Sequence, residues 1–100
     1  MSAELKGKVA IVTGASRGIG KALASTVASM GAHVAIAARQ EGPLQETAAE
    51  LRKSYAVDIL PIVCDVTRLE DLENLVAQTK KKFGRIDILV NNAGVSSQYP

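Results

Sequence analysis

The sequence predicts a doubly wound α/β fold, in which helices cover both faces of a parallel sheet. Four short apolar runs, at residues 9–12, 34–37, 59–63 and 86–90, are continuous rather than alternating, apart from Asp87 in the last. Continuous apolar runs are typical of strands that are buried on both faces. The runs recur about every 25 residues, and the segments between them have helical periodicity. Alternating strands and helices imply right-handed crossovers, and hence three layers, α/β/α.

A proline in the third run indicates the order of the strands. Pro61 has no N–H to donate to a ladder, so prolines in sheets are confined to edges, strand starts or bulges. A strand order of 3-2-1-4 places the third strand at the outer edge. The position of Pro61 therefore favours that order.

Apolar residues at helical spacing predict a helix after each of the first three strands. The three stripes are Ile19, Leu23, Val27 and Met30; Leu44, Ala48, Leu51 and Tyr55; and Leu69, Leu72, Val76 and Phe83. Gly31 and Gly84 are expected to end the first and third helices. Gly42 opens the second helix, with Pro43 at its first helical position, and residues 67–70 form a capping box for the third.

The composition excludes several classes of protein. Apolar residues make up 47% and charged residues 22% of the chain, as in an average globular protein. The formal net charge of +2 is too balanced for a nucleic-acid footprint, and no apolar stretch approaches the roughly 20 residues of a membrane span. The single cysteine, Cys64, cannot form an internal disulfide, and the first residues carry no apolar signal core. We therefore expect a cytoplasmic protein that binds neither nucleic acid nor membrane.

A glycine-rich turn follows the first strand and opens the first helix, which is the context that a dinucleotide site requires. Residues 13–20 read TGASRGIG. Gly14 allows a tight turn, Gly18 lets the backbone approach a pyrophosphate, and Gly20 lets the helix pack closely on the sheet. Free N–H groups and the helix dipole favour phosphate there. A glycine-rich turn without a ligand is the alternative, but strand, turn and helix together favour a Rossmann-type site.

The spacing Gly-x-x-x-Gly-x-Gly differs from the usual nucleotide fingerprint and resembles the N-terminal part of the short-chain dehydrogenases/reductases. Two further segments match that family: Asp65 with Val66 after the third strand, and Asn-Asn-Ala-Gly at 91–94 after the fourth. The resemblance runs from about Leu5 to Gly94 and is closest to 3-oxoacyl-carrier-protein reductases and carbonyl or alcohol dehydrogenases. It implies an oxidoreductase that transfers a hydride between a nicotinamide cofactor and a carbonyl or alcohol substrate.

The resemblance also implies roles for residues outside the turn. Asp65 is expected to contact adenine together with Val66. Asn91 is expected both to tie strands together and to line the nicotinamide-ribose side, where Ala93 and Gly94 leave the backbone unobstructed. As a carboxylate directly after a strand, Asp65 has the alternative role of capping the next turn.

Charge predicts NADP(H) rather than NAD(H) as the cofactor. Folds that select NAD place an acid at the end of the second strand, whereas this chain has Arg39 there and no acid before Glu41. Arg39 and Arg17 can offer guanidinium donors to a 2′-phosphate, and the alternative is that both are solvated. Ser16 either binds a phosphate or ribose or caps the turn locally. The predicted cofactor-binding residues are Gly14, Ser16, Arg17, Gly18, Ile19, Gly20, Arg39, Asp65, Val66, Asn91, Ala93 and Gly94.

The family's catalytic motif, Tyr-x-x-x-Lys, has no match in these 100 residues. In that family the tyrosine protonates the carbonyl oxygen of the substrate, and the lysine lowers the pKa of the tyrosine. Tyr55 is followed four residues later by Ile59, and Tyr99 only by Pro100. We therefore interpret residues 1–100 as one dinucleotide-binding unit, the cofactor-binding half of a longer, homo-oligomeric reductase that acts on a small molecule. The alternative is a non-catalytic binding module or an inactive fragment.

Two further residues attract attention without predicting chemistry. His33 begins the second strand, away from the strand ends where ligands bind, and is expected to be a surface or hydrogen-bonded histidine. Cys64 has no cysteine or histidine at metal spacing and is expected to be a small buried hydrophobe. No metal site is predicted.

Overall fold

The computed structural model describes residues 4–92, which form a parallel sheet with helices on both faces. The strands are β1 (Val9–Thr13), β2 (His33–Ala38), β3 (Ile59–Val63) and β4 (Ile88–Val90). The helices are α1 (Gly18–Ser29), α2 (Glu41–Ser54) and α3 (Leu69–Phe83). All the strand pairs are parallel and the order is β3-β2-β1-β4, which confirms the predicted fold class and strand order.

The two central strands are buried because helices cover both of their faces. Successive side chains of a strand point to opposite faces, so each strand contributes to two cores. Val12 and Ile36 pack in the core beneath α1 and α2. Ile11 and Ala37 pack in the core beneath α3. The continuous apolar runs of β1 and β2 therefore reflect burial on two sides, whereas that expectation is wrong for β3 and β4, where Val63 is 46% and Leu89 is 64% exposed.

Pro61 lies in the edge strand β3, opposite Ile36 of β2. The outer side of an edge strand has no ladder partner within residues 4–92, so a missing N–H is tolerated there. The inference from proline to edge strand is confirmed.

The glycines predicted to end two helices do so, whereas the start of α2 differs from the prediction. Gly31 follows Met30, the C-cap of α1, and Gly84 is the C-cap of α3, with φ of 98° and 82°. The α2 helix begins at Glu41 with Gln40 as N-cap, so Pro43 is its third residue and not its first. Because the first turn of a helix has no internal acceptor for its N–H groups, proline is tolerated at the third position as well.

The capping box predicted for α3 is wrong, because a local turn uses the threonine. Arg68 is the N-cap, without a side-chain capping bond. The Thr67 hydroxyl and N–H both donate to Asp65 Oδ1, at 2.6 and 2.9 Å. Asp71 Oδ2 in the first turn of α3 instead accepts the N–H of Asp65 at 2.8 Å. The carboxylates therefore organise the entry to α3.

The buried face of α1 lies one residue away from the predicted stripe. Ile19 is 70% exposed, while Gly20, Ala24 and Ala28 are buried against the sheet. Small side chains let the helix axis approach the strands closely, and the larger residues flank that contact. The predicted stripe of α2 is confirmed for Leu44, Ala48 and Leu51, which are buried, while Tyr55 is the C-cap of the helix and packs partly buried against the same core.

The stripe predicted for α3 is partly wrong in the same way. Leu69 and Val76 are exposed, at 70% and 42%, whereas Leu75 and Thr79 are buried and Leu72 is half-buried. Because Leu69 and Val76 are apolar but exposed, the apolar face predicted from the sequence is wider than the face of α3 that contacts the sheet.

The strand β4 is shorter than predicted because Asp87 takes over the pairing at its start. The N–H of Asp87 donates to the Val9 carbonyl at 2.9 Å, and the N–H of Val9 donates to Asp87 Oδ2 at 2.9 Å. Arg85 holds the same carboxylate through Nε and Nη2, each at 2.8 Å. A side chain thus replaces one ladder contact between β1 and β4.

We expect the stability of the fold to depend on the charge of Asp87. The Arg85 and Val9 donors hold the pKa of the Asp87 carboxyl below its usual range. Its contribution is therefore complete above the unfolded-state pKa of about 3.9 and is lost as the pH falls through the lower folded-state value. Asp87→Asn should lower the free energy of unfolding at neutral pH and flatten its dependence on pH at the acid end. Urea unfolding from neutral to acidic pH measures both effects. Glu73→Gln, at an exposed position of α3, is the control, and equal acid slopes for wild type and Asp87→Asn would contradict the role of Asp87.

His33 and Cys64 have the structural roles that the sequence predicts. His33 Nδ1 accepts the N–H of Asp58 at 3.0 Å, and its ring stacks on Phe83 with centroids 5.6 Å apart. Cys64 is 2% exposed, and burial, with the nearby Asp71 and Asp65 charges, raises the pKa of its thiol. Within residues 4–92, no three ligand-type side chains group in a way that would hold a metal ion, and no helix has the length and apolar character to cross a bilayer.

Candidate functional site

A cleft of about 460 Å³ opens at the carboxyl ends of the strands. In open parallel sheets this edge is where ligands bind, because the loops that follow the strands converge there. Its lining consists of Gly14, Ser16, Arg17, Ala38, Arg39, Gln40, Pro43, Cys64, Asp65, Val66, Thr67 and Asn92. The structure therefore brings together six of the predicted residues: Gly14, Ser16, Arg17, Arg39, Asp65 and Val66.

The glycine-rich turn has the backbone conformation that its sequence predicts. Gly14 and Gly18 have φ of 63° and 59°, in the left-handed region that favours glycine. A Cβ on Gly18 would meet no atom within 4 Å, so this part of the turn faces open space. The N–H of Ala15 donates to the carbonyl of Ala37 at 3.1 Å, which fixes the start of the turn on β2.

Gly20 packs directly beneath the turn. A Cβ at this position would overlap the Gly14 carbonyl group and lie 2.8 Å from Asn92 Nδ2. Gly20 was predicted to let α1 pack closely on the sheet, and the contact that excludes a Cβ there is with the turn that follows β1. The position of Gly20 is set by backbone atoms, which cannot rotate away as a side chain can.

The N-terminus of α1 is suited to an anion. Its N-cap, Arg17, makes no side-chain capping bond, and the first turn carries no acidic residue. The first N–H groups of a helix have no internal acceptor, and the helix dipole adds positive potential. Gly18, Ile19 and Gly20 belong to this turn and do not line the cleft itself.

The end of β4 is tied to the end of β1 through Thr13. The Thr13 hydroxyl donates to Asn91 Oδ1 at 3.0 Å and accepts the N–H of Asn92 at 2.9 Å. Asn92 Nδ2 reaches the Gly14 carbonyl at 3.4 Å. The structural part of the role expected for Asn91 is confirmed. Ala93 and Gly94 lie outside the described residues.

Asp65 caps a turn and lines the cleft at the same time. Its Oδ1 accepts the Thr67 hydroxyl and N–H, and these bonds lower the pKa of the carboxyl, with smaller contributions from the charges of Arg39 and Arg68. The group is therefore an ionised hydrogen-bond acceptor at neutral pH. Of the two roles that the sequence left as alternatives, capping the turn is observed, and the contact with adenine stays a prediction for a side chain that lines the cleft.

Two arginines supply positive charge to the cleft. Arg17 and Arg39 are exposed and line it, and no ion pair within residues 4–92 involves either guanidinium. Glu41 does not line the cleft, although it is the nearest acid along the chain after β2. Two exposed guanidinium groups therefore lie at the cleft.

Sequence reasoning missed several residues that build the cleft. Thr13 belongs to the glycine-rich motif at 13–20 and Asn92 to the Asn-Asn-Ala-Gly motif at 91–94, so these motifs could have indicated both residues. Gln40 and Pro43 line the cleft at the start of α2, and Thr67 lines it beside Asp65, to which its hydroxyl donates.

The sheet order and the glycine-rich turn at the start of α1 define the class of Rossmann-type α/β proteins. Residues 8–100 match the short chain dehydrogenase family, and the chain belongs to this family. The closer resemblance to 3-oxoacyl-carrier-protein reductases stays a prediction.

Individual relatives agree with this assignment. The chain is 46% identical over 96 residues to 11-beta-hydroxysteroid dehydrogenase A of Sesamum indicum, covering 96% of this chain and 28% of that protein. It is 39% identical over 93 residues to the NADP-dependent 3-hydroxy acid dehydrogenase of Schizosaccharomyces pombe, covering 92% and 36%. The crystal structure of L-sorbose reductase from Gluconobacter frateurii, complexed with NADPH and L-sorbose, superimposes with a TM-score of 0.91 at 41% identity. That match covers 100% of this chain and 38% of the reductase, so the chain spans about a third of the length of these relatives.

Proposed function

We propose that the chain supplies the NADP(H)-binding half of an oxidoreductase that transfers a hydride between nicotinamide and a carbonyl or alcohol carbon. The observation that carries the proposal is the cleft at the carboxyl ends of the strands, which is lined by the glycine-rich turn with its Arg17 and by Arg39. Membership of the short chain dehydrogenase family supports it. So do the NADPH of the related L-sorbose reductase and the NADP dependence in the name of the 3-hydroxy acid dehydrogenase.

In this proposal the turn and the N-terminus of α1 bind the pyrophosphate. Gly18 leaves space for its approach, and the uncapped first turn, which includes Ile19 and Gly20, supplies N–H donors. Ser16 and Gly14 line the cleft next to this turn. The positive potential of the helix N-terminus stabilises the phosphate charges.

The adenosine half would lie across the ends of β2 and β3. Arg39 and Arg17 would bind the 2′-phosphate, since a guanidinium matches the geometry of phosphate oxygens. Asp65 would accept the amino group of adenine through its ionised carboxylate, with Val66 beside it. The cleft holds these four side chains together, as one adenosine phosphate would require.

The nicotinamide half would lie toward the end of β4. Asn91, Ala93 and Gly94 follow this strand in the sequence, and the bond from Thr13 fixes Asn91 against β1. The bound nicotinamide supplies the hydride chemistry. The three relatives differ in the substrates that their names give, so the proposal is limited to a carbonyl or alcohol. The cytoplasmic location and the homo-oligomeric assembly stay predictions.

Titration of the full chain with NADPH and with NADH, followed by nicotinamide fluorescence, tests the proposal. We expect saturable binding of both, with NADPH bound about 10-fold or more tightly, because a charge-assisted hydrogen bond contributes about 1.5–3 kcal/mol. Adenosine 2′,5′-bisphosphate should compete better than ADP for the same reason. Equal affinities would overturn the role of the two arginines, and no binding of either dinucleotide would overturn the proposed function.

A further inference from the structure

A buried threonine of α2 is hydrogen-bonded to the glycine-rich turn. Thr47 is 1% exposed, and its hydroxyl donates to the backbone carbonyl of Ser16 at 3.2 Å. The two residues are 31 positions apart, so the bond joins α2 to the segment between Gly14 and the start of α1. No part of the predicted site included Thr47.

The partner of Thr47 is unusual for a threonine in a helix. Threonine hydroxyls within helices commonly donate to the carbonyl four residues earlier in the same helix. Thr26 of α1 does so with Ala22 at 3.0 Å, and Thr79 of α3 does so with Leu75 at 2.7 Å. Thr47 donates across the structure instead. A buried hydroxyl that binds the turn rather than its own helix points to a role in shaping the turn.

The bond fixes the orientation of a peptide group at the start of α1. The carbonyl of Ser16 and the N–H of Arg17 belong to the same planar trans peptide and therefore point in opposite directions. By holding the carbonyl toward α2, Thr47 directs the N–H of Arg17 away from α2. The bond from the N–H of Ala15 to the carbonyl of Ala37 holds the Gly14–Ala15 peptide, earlier in the turn, on β2. Two elements thus determine the course of the turn before it enters the helix.

We propose that Thr47 is a positioning residue, which orients the Ser16–Arg17 peptide so that the turn is preorganised for the dinucleotide. The inference rests on the proposed function, because it assumes that this turn binds the phosphates. Thr47 itself need not touch the ligand, since its side chain is buried behind Ser16. Without the bond, part of the binding free energy is used to order the turn, and affinity falls.

The experiment compares NADPH dissociation constants for four forms of the full chain. Thr47→Val removes the hydroxyl and keeps the shape, and should weaken NADPH binding about 3- to 10-fold, the equivalent of one net hydrogen bond. Thr47→Ser keeps a hydroxyl and should restore most of the wild-type affinity. Thr79→Val is the matched control, because it removes an equally buried hydroxyl that bonds only within α3. Its affinity for NADPH should equal that of the wild type, whatever its effect on Tm.

Each outcome decides between the inference and the function on which it rests. Wild-type affinity in Thr47→Val, or equal losses in Thr47→Val and Thr79→Val, would overturn the positioning role while leaving the proposed function intact. Failure of Thr47→Ser to restore binding would do the same. A wild-type chain that does not bind NADPH would overturn the proposed function, and this inference with it. Thr47→Ala replaces Thr47→Val in the comparison if the valine variant does not fold.

Discussion

Gly20→Ala is expected to lower the free energy of unfolding by about 3 kcal/mol and to abolish NADPH binding, because it overpacks a backbone contact. The added methyl group would overlap the Gly14 carbonyl group and press on Asn92 Nδ2. Relief requires α1 or the turn to move, and either movement changes the proposed phosphate site. Helix propensity alone predicts the opposite sign, since alanine is about 1 kcal/mol better than glycine inside a helix.

Gly42→Ala is the matched control for this prediction. Gly42 lies in the first turn of α2, and a Cβ there would meet no atom within 4 Å. The same substitution should therefore stabilise the chain by about 0.5–1 kcal/mol at Gly42. Urea unfolding and NADPH titration of both variants make the comparison. A Gly20→Ala chain as stable as the wild type would contradict the close packing of α1 on the turn.

The topology could be predicted because it depends on patterns that are local in the sequence. Strands covered on both faces need apolar residues at every position, so β1 and β2 appear as uninterrupted runs. Pro61 marks an edge because of a missing N–H, which is a property of the residue itself. Such patterns can be identified without knowing which helices and strands contact one another.

Helix faces and helix starts were less predictable, because they depend on tertiary distances and on competing local bonds. Hydrophobicity favoured Ile19 over Gly20, although the close contact with the turn leaves space only for the glycine. Thr67 fits a capping box by spacing, but Asp65 two residues earlier offers its hydroxyl a nearer acceptor. In the first case the space available decides which side of the helix is buried. In the second, two interactions compete for the same hydroxyl.

The candidate site divides in the same way. Gly14, Gly18 and Asp65 were predictable, since each has a conformational or chemical requirement that its residue type reveals. Gln40 and Thr47 were not, because they reach the cleft and the turn through the packing of α2. A sequence motif thus indicates the groups that face a ligand more readily than the groups that hold them in place.

Arg39→Asp is expected to weaken NADPH binding about 100-fold, through the loss of a charge-assisted hydrogen bond and its replacement by repulsion of the 2′-phosphate. NADH affinity should hold or rise, because an acid at the end of the second strand can accept the ribose 2′-hydroxyl. The proposed contact between Asp65 and adenine should change little. Thr67 provides the main effect that lowers the pKa of Asp65, so this carboxyl stays ionised without the Arg39 charge. The measurement is the ratio of the NADPH and NADH dissociation constants.

Two further variants separate the phosphate contact from general electrostatics. Arg39→Ala removes the donor without adding a negative charge, so its NADPH affinity should fall between those of wild type and Arg39→Asp. Lys53→Asp makes the same charge change in the last turn of α2, at the opposite end of that helix from Gln40 and the cleft. Its effect should be small, because solvent and salt screen exposed charges beyond roughly 10 Å. If Lys53→Asp shifted the NADPH to NADH ratio as far as Arg39→Asp does, net charge rather than a phosphate site at Arg39 would explain the selectivity.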